Sequence, residues 1–132
     1  MSERLTLHQP ITWVLLGMAA CFLLLGVIFI SMPTWGAAIF GIPAPSGSGE
    51  AYVRALGARD AAVALYIAAL TLFSTRQSLS IVLGATVLIP LCDIVLIAII
   101  THLAAPWYLA LHAGSALCFA GMALWVRLGR SA

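Results

Sequence analysis

Three ionisable side chains lie within one otherwise apolar segment of the chain, residues 51–73. They are Arg54, Arg59 and Asp60, and the whole sequence has only ten charged residues. At the centre of a membrane helix an arginine or aspartate costs roughly 2.5–3.5 kcal/mol, whereas a leucine, isoleucine, valine or phenylalanine returns about 0.3–0.6 kcal/mol. The segment therefore inserts poorly by itself, and its charges need partners inside a helix bundle. Intramembrane charges of this kind mark ligand sites, proton relays and ion pathways.

Two later apolar segments add Asp93 and His112. A guanidinium binds an anionic or carbonyl oxygen, a carboxylate orients it or acts as acid or base, and an imidazole is the complementary proton donor. We therefore predict a pocket that binds a small lipophilic molecule with a polar head, or transforms it by isomerase-, cyclase- or hydrolase-like acid–base chemistry. The predicted catalytic residues are Arg59, Asp60, Asp93 and His112. The predicted ligand-binding residues are Tyr52, Arg54, Gly57 and Tyr66.

Other kinds of site are disfavoured. The three histidines show no HxxxH or HxxE spacing, so no metal site is predicted. No glycine-rich phosphate loop, GxSxG elbow or CxxC pair occurs, and no cofactor is expected. The net charge of +2 is small and scattered, which disfavours a nucleic-acid partner.

The composition indicates a protein of the lipid bilayer. The 132 residues are 64% hydrophobic and 8% charged, whereas soluble domains carry about 25% charged residues. Four segments reach the length of about 20 apolar residues that a membrane helix needs. They are residues 11–32, 51–73, 79–100 and 106–126. Since the last two connections are short, we predict an all-α fold, a single domain over residues 1–132 that forms an antiparallel four-helix transmembrane bundle.

The first connection is longer and has two parts. An apolar stretch, Thr34–Ile42, includes Trp35 and Phe40 and is followed by a flexible Pro/Gly/Ser-rich link over Pro43–Gly49. We predict that the apolar stretch lies in the membrane interface, either as a lid over the pocket or as a loop resting on lipid.

Arginine placement predicts the orientation. Arg4, Arg76, Arg127 and Arg130 flank the predicted helices on one side, and the two other connections contain no lysine or arginine. The positive-inside rule then places both termini in the cytoplasm, with the plasma membrane as host in a bacterium. At a rise of about 1.5 Å per residue, Arg59 and Asp60 lie roughly 12–14 Å below the outer end of their helix, Asp93 roughly 10 Å and His112 roughly 9 Å. The charged site is therefore expected in the outer half of the bilayer.

Helical periodicity separates the two arginines of the second segment. One side of the helix presents Glu50, Arg54, Gly57 and Ala61, and nearly the opposite side presents Tyr52, Arg59 and Tyr66. Because Arg59 lies deeper, we predict that it pairs with an interior carboxylate, Asp93. Arg54 then pairs with Glu50 or reaches outward. Pro90, three residues before Asp93, is expected to kink the third helix.

The middle third of the chain resembles a known family. The stretch Phe40-Gly-Ile-Pro43, followed by Gly57-Ala-Arg-Asp60, is similar to the small four-helix membrane proteins designated DUF4267. The resemblance implies a four-helix integral membrane protein. Its motif implies that Gly57, Arg59 and Asp60 are functional positions. It implies no particular reaction.

Two further readings stay open at this point. In the first, the Arg/Asp network binds no ligand and is structural or supports assembly. In the other, less favoured because the charges lie away from the midplane, the protein transports a small molecule. A homo-oligomer is also expected, with small residues at the contact. These residues are Gly17, Cys21, Gly114 and Gly121.

Overall fold

The structure, a computed structural model, describes residues 4–43 and 46–129. Within them it is helical and contains no strand beyond an isolated bridge between Arg4 and Thr75. The helices are α1 (Pro10–Ser31), α2 (Pro33–Phe40), α3 (Ser48–Phe73), α4 (Arg76–Thr86), α5 (Leu88–Thr101) and α6 (Pro106–Leu128). Arg130, used to predict orientation, and residues 44–45 of the predicted link lie outside the described residues.

Four stretches are long and apolar enough to cross a membrane. These are Pro10–Ser31, Ser48–Phe73, Arg76–Thr101 and Pro106–Leu128, which confirms the four predicted spans with shifts of a few residues at their ends. Many large apolar side chains remain exposed along them, among them Leu24, Leu65, Ile99 and Leu117. Such an exterior suits lipid as the surrounding solvent, so the chain is a multi-pass membrane protein.

Local sequence signals set the helix ends. Proline occupies the first turn of α1, α2 and α6. Backbone N–H groups in the first turn have no partner within the helix, so the N–H that proline lacks costs no hydrogen bond there. Gly41 follows α2 at a φ of 97°, a left-handed conformation that suits glycine. The hydroxyl of Thr75 accepts a hydrogen bond from the backbone N–H of Ser78 and caps α4.

The third span, predicted over residues 79–100 with a kink at Pro90, is interrupted. Helix α4 ends at Thr86 and α5 begins at Leu88. Pro90 has no N–H to offer the carbonyl of Thr86, so the ladder breaks one turn before it. The Thr86 hydroxyl donates to the carbonyl of Val82 at 2.7 Å, as side chains commonly do near such a break. The break confirms that Pro90 distorts this helix.

The helices form two groups with a core between them. Helix α1 packs along α3, and α4 and α5 pack against α6. One apolar cluster joins the groups at the end near the Arg76 turn; it includes Leu15, Ile67, Leu83, Phe119 and Val126. At the other end, a second cluster gathers around α2, and includes Phe29, Phe40, Val53 and Ile97. The apolar stretch after the first span is thus a helix packed on its neighbours, with Trp35 exposed.

Glycines play two roles in this packing. Gly26 and Gly57 allow α1 and α3 to approach so closely that an added Cβ on either would lie 2.8 Å from a carbonyl oxygen of the other. Gly17, Gly114 and Gly121 instead have open space beside them. Among the described residues, nothing lies within 4 Å of a Cβ added to any of these three glycines. The dimer predicted through them stays a prediction.

Candidate functional site

Arg59 is the centre of a network of ion pairs. Its Nε donates to Asp60 Oδ1 at 3.2 Å, while Nη1 and Nη2 donate to Asp93 Oδ1 and Oδ2 at 2.9 and 3.2 Å. The second interaction is a two-pronged guanidinium–carboxylate pair, which fixes direction as well as distance. It joins α3 to α5 and confirms the pairing of Arg59 with Asp93 predicted from depth and periodicity.

His112 extends the network from α6 to α2. Its Nε2 lies 3.3 Å from the carbonyl oxygen of Phe40, and its Nδ1 lies 3.7 Å from Asp93 Oδ2. A carbonyl oxygen only accepts, so Nε2 carries the hydrogen in this contact. The Phe40 ring also meets the imidazole edge-on, with 5.0 Å between centroids. His112 therefore holds the end of α2 against the ion network.

The carboxylates are more deeply buried than the arginine. The side chains of Asp60 and Asp93 are 7% and 8% exposed, that of His112 is 12% exposed, and that of Arg59 is 29% exposed. Asp60 uses Oδ1 for Arg59, and among the described residues Oδ2 receives no hydrogen bond. One oxygen of a buried carboxylate is thus left for another donor.

That oxygen belongs to a side chain that lines a cavity of about 160 Å³. All four predicted catalytic residues line the cavity, and most of its remaining wall is apolar. Helix α1 contributes Phe22, Leu25 and Phe29; α2 contributes Ile39 and Phe40; α3 adds Val63; α4 and α5 add Thr86, Ile89 and Pro90; α6 adds Leu111, Ser115 and Phe119. An apolar cavity of about 150 Å³ holds a benzene molecule, so the space fits a ring or a head group of that size.

The four predicted ligand-binding residues do not line this cavity. Gly57 faces α1 at the close helix contact described above. Tyr52 donates to the carbonyl of Ile42 at 3.3 Å, and the Tyr66 hydroxyl lies 2.8 Å from the Thr86 hydroxyl. Arg54 is 55% exposed and pairs with Glu50 at 3.8 Å, which is one of the two alternatives predicted for it. Their role in ligand binding stays a prediction, whereas their observed contacts are between helices or within one helix.

Sequence reasoning overlooked the aromatic part of the wall. Phe22, Leu25 and Phe29 recur at the spacing of one helix face, so the signal was present in the first span. On α6, His112, Ser115 and Phe119 also recur at the spacing of one helix face, and all three line the cavity. The contact of His112 with the Phe40 carbonyl had no sequence signal, because a backbone acceptor can be supplied by any residue type.

Among the described residues, no group of three or more histidine, cysteine, aspartate or glutamate side chains is placed to hold a metal ion. What the arrangement can do is bind a polar group beside a guanidinium and exchange protons with a carboxylate and an imidazole.

Comparison with known proteins identifies the family. The family model described as Domain of unknown function (DUF4267) matches residues 19–126. The chain belongs to the DUF4267 family. The match includes all four cavity residues of the ion network as well as the Phe40–Pro43 and Gly57–Asp60 stretches. No curated protein and no solved structure matches this DUF4267 chain.

Proposed function

We propose that this DUF4267 protein binds a small lipophilic molecule by its polar head in the cavity between its helices and acts on that head by acid–base chemistry. The observation that carries the proposal is the convergence of Arg59, Asp60, Asp93 and His112 on one cavity with largely apolar walls. Apolar pockets with a few convergent polar groups are the usual form of small-molecule sites. Intramembrane ionisable residues point to the same kind of role.

The division of labour follows from the hydrogen bonds. A guanidinium has five N–H donors, and the carboxylates take three of those on Arg59. The remaining donors are available to a carbonyl or hydroxyl oxygen of the ligand. Asp60 and His112 reach the cavity from α3 and α6, so a proton taken by one and returned by the other would serve isomerisation, cyclisation or hydration. Asp93 orients both Arg59 and His112.

The size of the cavity places the rest of the ligand outside it. A volume of about 160 Å³ takes a head group, while lipophilic ligands of drug size need about 300–1,000 Å³. Helices α1 and α6 make little backbone contact with each other. Among the residues of these two helices that line the cavity, Leu111 is exposed, and Phe22, Leu25 and Ser115 are half-buried. We infer that an apolar tail leaves for the bilayer between α1 and α6.

The membrane arrangement proposed with this function is the antiparallel four-helix bundle, one domain over the chain, with both termini in the cytoplasm. Arg4, Arg76 and Arg127 support that orientation by the positive-inside rule. The cavity would then lie in the outer half of the bilayer, and its ligand would arrive from the outer leaflet.

A purely structural role is the competing interpretation, and the Arg59–Asp93 pair favours it because it ties α3 to α5. Buried ion pairs specify helix packing in some proteins without binding anything. Transport remains a third and weaker interpretation.

Native mass spectrometry of protein released from mild detergent separates these interpretations. We expect a bound small-molecule mass on the wild type and on Glu50→Gln, whose carboxylate lies on the same helix outside the cavity. The mass should be absent from Ser115→Phe, which fills the cavity without removing a charge, and from Arg59→Gln. A wild type that carries no ligand, together with an Arg59→Gln variant that loses its fold, would support the structural role instead.

A further inference from the structure

The ion network is unbalanced by one charge. Arg59 contributes one positive charge, and Asp60 and Asp93 contribute two negative charges when both are ionised. Another charged pair of the same helix, Arg54 with Glu50, is neutral as a pair and lies outside the cavity. A net negative charge inside a helix bundle is costly unless a positive charge is placed beside it.

Two groups can supply that charge. One is a proton, held by His112 or by one of the carboxyl groups; the titratable groups that face the cavity are Arg59, Asp60, Asp93 and His112. The other is a cationic group of the ligand. The site has one excess negative charge, so either the proton or the cationic ligand neutralises it. Binding of the cationic ligand therefore favours release of the proton, and the reverse holds as well.

The position of Asp60 favours a cationic ligand, rather than a proton, as the source of this positive charge. Its side chain is 7% exposed, it lines the cavity, and Oδ2 receives no hydrogen bond from the described residues. Four phenylalanines, Phe22, Phe29, Phe40 and Phe119, also line the cavity. Aromatic rings around a carboxylate are the surroundings that favour ammonium groups, through attraction between the cation and the ring faces.

We propose that the cavity holds one exchangeable positive charge and that its ligand class is a lipophilic amine, whose protonated head contacts Asp60 and replaces a proton in the site. This inference rests on the proposed function and narrows it. An anionic head is disfavoured, since it would raise the net charge of the site to two negative charges. A neutral alcohol fits the volume but leaves the imbalance in place.

The test uses three probes of nearly equal size: benzylamine, benzyl alcohol and benzoate. Isothermal titration of the wild type in lipid nanodiscs, with protein-free nanodiscs as blank, should show benzylamine binding at least about tenfold more tightly than benzyl alcohol, and benzoate more weakly than both. Benzylamine titrated in two buffers of different protonation enthalpy should show release of a proton from the protein.

Asp60→Asn keeps the shape of the side chain and an acceptor for Arg59 but removes the excess negative charge. We expect it to lower benzylamine affinity at least about tenfold, to the level of benzyl alcohol. Glu50→Gln, which removes a carboxylate outside the cavity, should leave all three affinities unchanged. Because Asp60→Asn needs a check of folding, its benzyl alcohol affinity serves as the internal control.

The outcomes separate the two proposals. If benzyl alcohol or benzoate binds the wild type as well as benzylamine does, and Ser115→Phe abolishes that binding, the cavity is a ligand site and the amine assignment is wrong. If no probe binds the wild type more tightly than it binds Ser115→Phe, the proposed function fails and the amine inference fails with it.

Discussion

The close contact of α1 with α3 makes a sharp prediction for Gly57→Ala. An added Cβ would lie 2.8 Å from the carbonyl oxygen of Gly26, 2.8 Å from Phe29 Cβ and 2.9 Å from Ile30 Cγ1. The first two atoms belong to the backbone or are fixed to it, so they do not rotate away. Ordinary contact for a Cβ begins at 3.4 Å. The two helices must therefore separate locally by about 0.6 Å, which disturbs a tightly packed interface.

The magnitude follows from two opposing effects. Adding a methyl group to a packed contact costs about 1–3 kcal/mol, and replacing glycine by alanine inside a helix returns about 0.5–1 kcal/mol. The difference between these two ranges is about 0–2.5 kcal/mol. Because the two nearest atoms cannot rotate away, we expect the upper part of that range, a fall of about 1–2 kcal/mol in the free energy of unfolding of Gly57→Ala. Gly26→Ala, on the other side of the same contact, should give a similar loss, and the double variant should lose less than the sum because one separation accommodates both methyl groups.

Equilibrium unfolding in mixed micelles, with sodium dodecyl sulfate as denaturant and circular dichroism as readout, measures this difference. Gly114→Ala is the matched control, because it lies inside α6 with nothing within 4 Å of the added Cβ. It should be unchanged or more stable by up to about 1 kcal/mol. If Gly57→Ala proves as stable as Gly114→Ala, the α1–α3 contact is not as close as described, and Gly57 matters for another reason.

Three further changes test the surrounding contacts by the same unfolding measurement. Asp93→Ala should lower the free energy of unfolding by about 3 kcal/mol, at the low end of the cost of breaking a buried ion pair, because Arg59 is partly exposed and still pairs with Asp60. Asp93→Asn should lower it less, because the amide oxygen still accepts a hydrogen bond from Arg59. Equal losses for the two variants would contradict this. Tyr66→Phe removes the hydroxyl contact with Thr86 and should cost about 0.6 kcal/mol, typical of hydrogen bonds between membrane helices; a loss above 2 kcal/mol would show that Tyr66 does more than make this bond. Thr75→Ala removes the cap of α4 and should cost about 1 kcal/mol, whereas Thr75→Ser should cost little; equal effects of the two changes would argue against the cap.

The candidate site was partly predictable because depth and facing are local properties of a helix. The rise per residue places Arg59, Asp93 and His112 at similar depths, and the 100° turn per residue separates Arg59 from Arg54. These two regularities were enough to pair Arg59 with Asp93, as the structure confirms. For Arg54 they left two alternatives, a pair with Glu50 or an outward position, and the structure shows the pair with Glu50. They were not enough to predict which residues Tyr52, Gly57 and Tyr66 contact, because those contacts depend on which neighbouring helix lies opposite each of them.

The third span shows the same boundary between local and tertiary information. Pro90 was expected to distort the helix because proline removes a donor wherever it occurs. The break at Val87 follows from this local rule, since Thr86 is the residue whose carbonyl loses its donor. The contact between the Thr86 and Tyr66 hydroxyls depends instead on which helix lies opposite Thr86, so it is decided by packing.

The sequence by itself determined the membrane setting, the four spans and the need for charge partners, because hydropathy and the cost of burying charge are properties of each segment. Only the tertiary structure decided that the carbonyl at the end of α2 contacts His112, that Asp60 lines a cavity, and that four phenylalanines share the wall of that cavity. The physical reason is that these features depend on distances and rotations between helices. Packing of the whole bundle sets those quantities, and no single segment encodes them.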